Sequence, residues 1–190
     1  MTTRIFVSVG TDHHPFTRLL TWLDGWMDAL GPEAPDVTLV VQHGATRPSR
    51  HAVNHEMLGA AELRAQYEAA DIVISQVGPG TIADANRAGK LPIVVPRDPE
   101  LGEVVDDHQV AFGDFMTARG RCRSVRTRVE LCAEIEAQLL ASPPGPDELA
   151  ASAHSAATMT ALSALTRDVL TAPPRRASAR RLVTAVRRSP

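Results

Sequence analysis

Asp71-Ile72-Val73-Ile74-Ser75-Gln76-Val77-Gly78-Pro79-Gly80-Thr81-Ile82-Ala83-Asp84 is the stretch that decides the fold. Its first five residues form a short β-branched run of the kind that fills a strand buried on both faces, and Gly78-Pro79-Gly80-Thr81 breaks it. No breaker follows from Ile82 to Ala88, so a helix is expected there, capped at its C-terminus by Gly89. Pro92-Ile93-Val94-Val95 gives the next buried strand, and Pro96 and Pro99 force a loop after it. Strand, glycine turn, helix and strand make a βαβ unit, so the expected class is α/β with a parallel sheet.

The turn itself has a chemical consequence. The first backbone N–H groups of a helix lack intrahelical acceptors and carry the positive end of the peptide dipoles, which makes the site attractive to anions. Gly78 and Gly80 let a diphosphate approach that backbone. Asp84 lies three residues past Thr81, on the same face of the first turn, where a carboxylate can accept hydrogen bonds from the two vicinal hydroxyls of a ribose. A second reading fits the same pair: Thr81 and Asp84 as a variant capping box, with Asp in place of Glu or Gln.

Upstream, Arg4-Ile5-Phe6-Val7-Ser8-Val9 reads as a strand. Phe16, Leu19, Leu20, Leu23, Met27 and Leu30 then have helical spacing. The turn between them, Gly10-Thr11-Asp12-His13-His14, sits at a strand's carboxyl end, where open α/β sheets bind ligands. His13 and His14 are candidates to contact a phosphate or act as a base, or are simply exposed loop histidines. Val37 to Gln42 gives a second strand. From Ala45 to Gly59 no period is evident, and a surface loop with a short strand is expected. His51 and His55 are four apart, but Ala52 stands where a zinc-protease helix needs its glutamate, so no metal site is expected. Ala60 to Ala70 is expected to be a helix leading into the central unit.

Downstream, Asp106-Asp107-His108-Gln109 opens a helix running to about Arg119. The aspartates suit its N-terminus, whereas His108 and Gln109 are unexplained by capping and lie beside the same crevice as Gly78 to Thr81. Arg121 to Val125 is expected as a last strand, followed by a helix whose inner face is Val129, Cys132, Ile135 and Leu139. The expected organisation is a ligand-binding domain over residues 1–145, a docking helix within 146–172 with a stripe at Met159, Leu162, Leu165 and Val169, and a basic disordered tail over 173–190.

The chain length of 190 residues suits one domain with a full core and an extra helix, not two large domains. Cys122 and Cys132 follow no metal-ligand pattern and read as free thiols of a reducing cytoplasm. No apolar run approaches the ~20 residues that span a bilayer. The net charge of −2 hides an asymmetry: six arginines, from Arg175 to Arg188, lie beyond the last acid, Asp168, and the remainder carries 14 basic and 22 acidic residues. Such a tail is drawn to an anionic membrane at roughly 1 kcal/mol per Arg. An acidic body argues against a nucleic-acid partner.

Taken together, Phe6-Val7-Ser8-Val9-Gly10-Thr11, Ala70 to Ser75, Gly78-Pro79-Gly80-Thr81-Ile82, Ala88-Gly89-Lys90, Ile93-Val94-Val95-Pro96 and Asp107-His108-Gln109 resemble the C-terminal, donor-binding half of family 28 glycosyltransferases. The similarity covers roughly residues 4 to 140 and is nearest to the stand-alone halves, those of the dolichol-linked N-acetylglucosaminyltransferase and of bacterial exopolysaccharide synthesis. The resemblance implies a Rossmann-like parallel sheet that is one half of a GT-B fold, and a nucleotide-diphosphate sugar, most often a UDP-sugar, as ligand. By the same resemblance Gly78, Pro79, Gly80 and Thr81 hold the diphosphate, Asp84 the ribose, and His108 and Gln109, with Asp107 beside them, the sugar. Gly10 and Thr11 line the crevice toward the acceptor, and His13 and His14 are the local candidates for a general base. Gln76 stands where these proteins usually carry a histidine, and Asp84 where they carry a glutamate.

The implied chemistry is inverting sugar transfer without a bound metal or other cofactor, the helix N-terminus stabilising the departing diphosphate. The acceptor half, a polyprenyl-linked acceptor and a membrane anchor are expected from a partner subunit, which would place this chain at the cytoplasmic face of the membrane. The competing expectation is a non-catalytic nucleotide-sugar sensor or scaffold.

Overall fold

The computed structural model describes residues 2–31 and 36–140. The helix and tail expected beyond residue 145 lie outside them. Six strands, β1 (Thr3–Ser8), β2 (Val37–Gln42), β3 (Ala52–His55), β4 (Ile72–Gln76), β5 (Ile93–Val95) and β6 (Arg123–Ser124), form one sheet in the order β3-β2-β1-β4-β5-β6. Every pairing is parallel. The chain winds outward one way from β1 to β3 and the other way from β4 to β6, so the order reverses between β1 and β4. At that switch point neither crossover covers the strand ends, and a crevice opens. Ser8 pairs with both Gln42 and Ser75, which leaves the carboxyl ends of the three central strands level.

Among the described residues, five α-helices flank the sheet: α1 (Thr17–Ala29), α2 (Ala60–Ala69), α3 (Pro79–Arg87), α4 (His108–Ala118) and α5 (Arg128–Leu140). Alternation along β1 divides the core. Ile5, Val7 and Val9 pack with Phe16, Leu19, Leu20 and Leu23 of the α1 side and with Leu131 and Ile135 of α5. Phe6 faces the other way, against Val40, Val73, Ala85 of α3 and Tyr67 of α2. Burying each of these large side chains contributes about 1.5–3 kcal/mol, and both faces of the strand do so, as its unbroken apolar run requires.

Three sequence expectations are corrected. Helix α3 begins at Pro79, not Ile82, because Gly78 serves as N-cap and proline's fixed φ suits the first helical position. Thr81 is therefore the third helical residue, and no side chain caps the helix, so Thr81 and Asp84 do not form a capping box. On helix α5 three of the four expected inner positions hold, Ile135 buried and Cys132 and Leu139 packed against the core, but Val129 is 78% exposed and Leu131 is buried instead. The short strand expected between Ala45 and Gly59 is present as β3, added in register to β2.

The loop before β3 is fastened to α1 through Asp24, which is buried. Its carboxylate accepts from Ser49 Oγ (2.6 Å), Arg47 Nη1 (2.8 Å) and the Arg50 backbone N–H (3.1 Å). Burial pushes that carboxyl up, but these hydrogen bonds hold it below its ordinary value. His51 is taken by Asp28 at 2.7 Å rather than joined to His55. No described helix is long and apolar enough to cross a membrane.

Candidate functional site

The crevice is built from the ends of β1 and β4. Gly10 follows β1 with φ of +85°, a conformation that favours glycine, and a Cβ there would lie 2.5 Å from Gln76 Nε2. Gly78 is less crowded but still tight: a Cβ there would lie 3.2 Å from Gln76 Nε2 and 3.3 Å from Thr81 Oγ1. Gly80, by contrast, faces open space, and Pro79 and Gly80 are exposed. The first turn of α3 thus presents uncapped backbone N–H groups at Gly80 and Thr81 to the crevice. An anion is the ligand such a turn suits.

Asp84 stands one turn further along α3, with 40% of its side chain exposed and in an ion pair with Arg87. Beneath it, the hydroxyl of Tyr67, the only tyrosine in the chain, joins the site from α2. Burial, and then the Asp84 carboxylate, push the Tyr67 phenol up to about 12, with the Ser8 and Thr81 hydroxyls pulling the other way. Tyr67 is therefore a protonated donor at any physiological pH. Its position as the sole aromatic of α2 was the available signal in the sequence.

The opposite wall is organised by Arg97, a loop residue that sequence reasoning passed over. It is 1% exposed, and its guanidinium donates to Gln76 Oε1 (3.1 Å), to the carbonyls of His14 (2.7 Å) and Glu103 (2.8 Å), and to that of Val9 (2.7 Å). One side chain thereby ties the end of β1, the end of β4 and the loop after β5. Burial pulls Arg97 down from its ordinary value, opposed by the Asp12 and Glu103 carboxylates. Glu103, itself buried, holds Arg18 of α1 through both oxygens (3.1 and 2.7 Å).

The residues expected at the start of α4 separate. Gln109 turns inward: its Oε1 accepts the Arg97 backbone N–H (3.1 Å) and its Nε2 donates to Gln76 Oε1 (3.3 Å). His108 stays at the rim, 86% exposed, with Nδ1 2.7 Å from Asp106. That contact raises the imidazole above its ordinary 6.5. Asp107 is the N-cap residue of α4 and is exposed, without a side-chain cap bond.

At the β1 end, Thr11 is exposed, and Asp12 folds back on His14. Its Oδ1 accepts from the His14 backbone N–H (2.8 Å) and lies 2.7 Å from Nδ1 of the ring. The backbone N–H of His14 is the main cause holding the Asp12 carboxyl below its ordinary value, against burial and with help from the His14 ring and Arg97. His13 is 87% exposed, stacked on His14 with ring centroids 3.9 Å apart. Among the described residues, Asp12, His13 and His14 are the cluster that brings potential metal-ligating atoms within 4.8 Å of one another.

Comparison with known proteins agrees with this architecture. Residues 5–167 match the Glycosyltransferase family 28 C-terminal domain. A UDP-N-acetylglucosamine--N-acetylmuramyl-(pentapeptide) pyrophosphoryl-undecaprenol N-acetylglucosamine transferase of Chromohalobacter salexigens is 33% identical over 108 residues, which are 57% of this chain and 28% of the relative. Among solved structures, the glycotransferase of kitacinnamycin superposes with a TM-score of 0.56 at 20% identity, over 73% of this chain and 35% of its own. MurG of Acinetobacter baumannii gives 0.51 at 19%, over 74% and 42%. ALG13 gives 0.50 at 18%, over 76% of this chain and 90% of ALG13. The chain thus spans less than half of the transferase relative and of the first two structures, and most of the third. With the family domain matched over most of its length and the six-stranded parallel sheet of a GT-B half in place, this chain belongs to glycosyltransferase family 28.

Proposed function

We propose that the chain binds a nucleotide-diphosphate sugar, a UDP-sugar in the first instance, and transfers the sugar with inversion to a lipid-linked acceptor, in company with a membrane-anchored subunit that carries the acceptor half. The observation that carries the reading is the uncapped N-terminus of α3, flanked by Gly10 and Gly78 and faced by Gln76. Gly80 and Thr81 offer N–H groups to the diphosphate, which as leaving group gains charge during transfer and is stabilised most at that moment. Asp84 accepts from the ribose hydroxyls. His108, with Asp107 beside it, takes the sugar. In this reading protein donors take the leaving-group task that a metal ion takes elsewhere. The name of the Chromohalobacter relative supports both the UDP-sugar and the polyprenyl acceptor.

In the transfer step the acceptor oxygen attacks the anomeric carbon, the bond from that carbon to the diphosphate oxygen breaks with its electron pair on the diphosphate, and the acceptor proton goes to a base. His14 is the candidate. Asp12 holds its Nδ1, and Nε2 is left to take the proton. His13 lacks so close an orienting partner.

A thermal-shift panel of UDP-, GDP- and TDP-sugars tests the donor reading. A ligand at one hundred times its dissociation constant stabilises the fold by about 2.7 kcal/mol, which is readily visible. Asp84→Ala is expected to weaken that shift while leaving the unliganded melting temperature close to wild type, since its pair with Arg87 is half-exposed and worth at most ~1 kcal/mol. No shift with any donor, alone or with a partner subunit, rejects the reading.

A further inference from the structure

Gln76 closes β4 two residues before the glycine that caps α3. The two ends of a glutamine amide have nearly the same shape, so its partners decide which one faces the turn. Here they leave no choice. Arg97 Nε lies 3.1 Å from one end of the amide, and a guanidinium N–H can only donate, so that end is the oxygen. Gln109 is pinned by a second donor: its own oxygen accepts the Arg97 backbone N–H at 3.1 Å, which leaves its Nε2 to face Gln76 Oε1 at 3.3 Å. The side chain and the main chain of Arg97 impose the same orientation independently. Gln76 Nε2 is thereby turned to the far side, beside Gly10 and Gly78, whose Cβ directions pass 2.5 and 3.2 Å from it.

The geometry points to Arg97 as a positioning residue that makes Gln76 an obligate hydrogen-bond donor to the diphosphate at the N-terminus of α3. The inference rests on the reading of that turn as a nucleotide-diphosphate site and adds to it a residue that touches no ligand. Arg97 is buried, and its remaining bonds go to the carbonyls of Val9, His14 and Glu103, so its effect passes through the Gln76 amide. Gln109 is the second pin of the same orientation, held through Arg97.

The test is UDP affinity by calorimetry on the full chain, beside thermal melting. Gln76→Glu keeps an acceptor for Arg97, so the fold is retained, but it presents an oxygen in place of N–H to the turn. Its dissociation constant for UDP is expected to rise by about 10- to 100-fold, the range for a lost hydrogen bond to a charged group. Gln76→Met should do the same without adding charge. Arg97→Lys keeps the charge and loses the planar fork. It is expected to weaken UDP binding about tenfold with Gln76 present and not at all in the Q76M background, which is the signature of action through Gln76. Should Arg97→Lys not fold, the side-chain amide resonance of Gln76, assigned by its absence from Q76M, is expected to shift when UDP is added to the wild-type protein. If wild type binds UDP while Q76E binds it equally well, or the amide resonance stays still, or R97K costs the same in both backgrounds, Arg97 serves the fold alone and the inference is overturned. If wild type binds none of UDP, GDP and TDP, the diphosphate reading itself fails and the inference falls with it.

Discussion

His108 shows how far a single side chain can be interpreted. Asp106, 2.7 Å away, raises the imidazole above 6.5. A raised folded value means that the contribution of this pair to stability is fully present below pH 6.5 and is lost as pH rises through the folded value. Nuclear magnetic resonance titration should find the His108 midpoint above 6.5 in wild type and lower in Asp106→Asn. If His108 meets the donor as a cation, donor affinity fades across the same window and the fading moves down with the midpoint in Asp106→Asn. A flat affinity profile beside a shifted midpoint removes His108 from the site. At this scale the glycines were legible in the sequence, because Gly78 and Gly10 act through local backbone geometry that neighbouring residues announce. Arg97 was not, and Tyr67 was marked only by being the sole aromatic of α2. The importance of Arg97 comes from bonds to Val9 and His14, 88 and 83 positions away, and a lone loop arginine carries no sign of them.

The elements were readable to the extent that their cause is local. The β-branched runs, the glycine and proline breaks and the period of α1 gave the strands and helices in order, and the parallel sheet followed from the crossovers. The start of α3 was misplaced because proline was taken as a break, when at the first helical position it is favourable. The face of α5 was legible except at its start, where Val129 is exposed and Leu131 is buried in its place, because which residue of a first turn meets the core is set by the packing and not by the period. How α1 is fixed to the loop after β5 was also out of reach of periodicity. Arg18 reaches both oxygens of Glu103 and the Pro96 carbonyl (2.8 Å), and Glu103 also accepts the Asp98 backbone N–H at 3.0 Å. Glu103→Gln leaves a largely buried guanidinium without its counter-charge, which is expected to cost roughly 3 kcal/mol. Urea denaturation measures it. Because the same loop offers its Glu103 carbonyl to Arg97, the variant should also loosen the β1 turn, visible as faster amide exchange at Asp12 to His14. Unchanged stability would show that the pair merely balances its desolvation.

For the whole molecule, the described residues form one half of a GT-B fold, with the proposed donor turn at its strand ends. Sugar transfer needs a second surface to hold the acceptor against the anomeric carbon, and the expectation that a partner supplies it rests on the family resemblance, not on composition or period. At the rim of the crevice two apolar side chains are open, Val105 83% exposed and Leu101 60%, in the loop that leads to His108. On the proposed function, a partner carrying the acceptor half would cover this rim, and membrane anchorage of that partner would bring a polyprenyl-linked acceptor within reach. In that reading the six arginines beyond Asp168 would add attraction to an acidic membrane of up to ~1 kcal/mol each, screened as salt rises. The expected outcome is that the chain co-purifies with a membrane-anchored subunit, that transfer to a lipid acceptor requires both, and that Val105→Asp reduces the association while leaving the UDP thermal shift intact. High salt should release the chain from acidic vesicles but not from its partner, because the two attachments differ in kind. Full-rate glycosylation of a lipid acceptor by this chain alone would place the acceptor site and the base within its own residues and end the two-subunit reading.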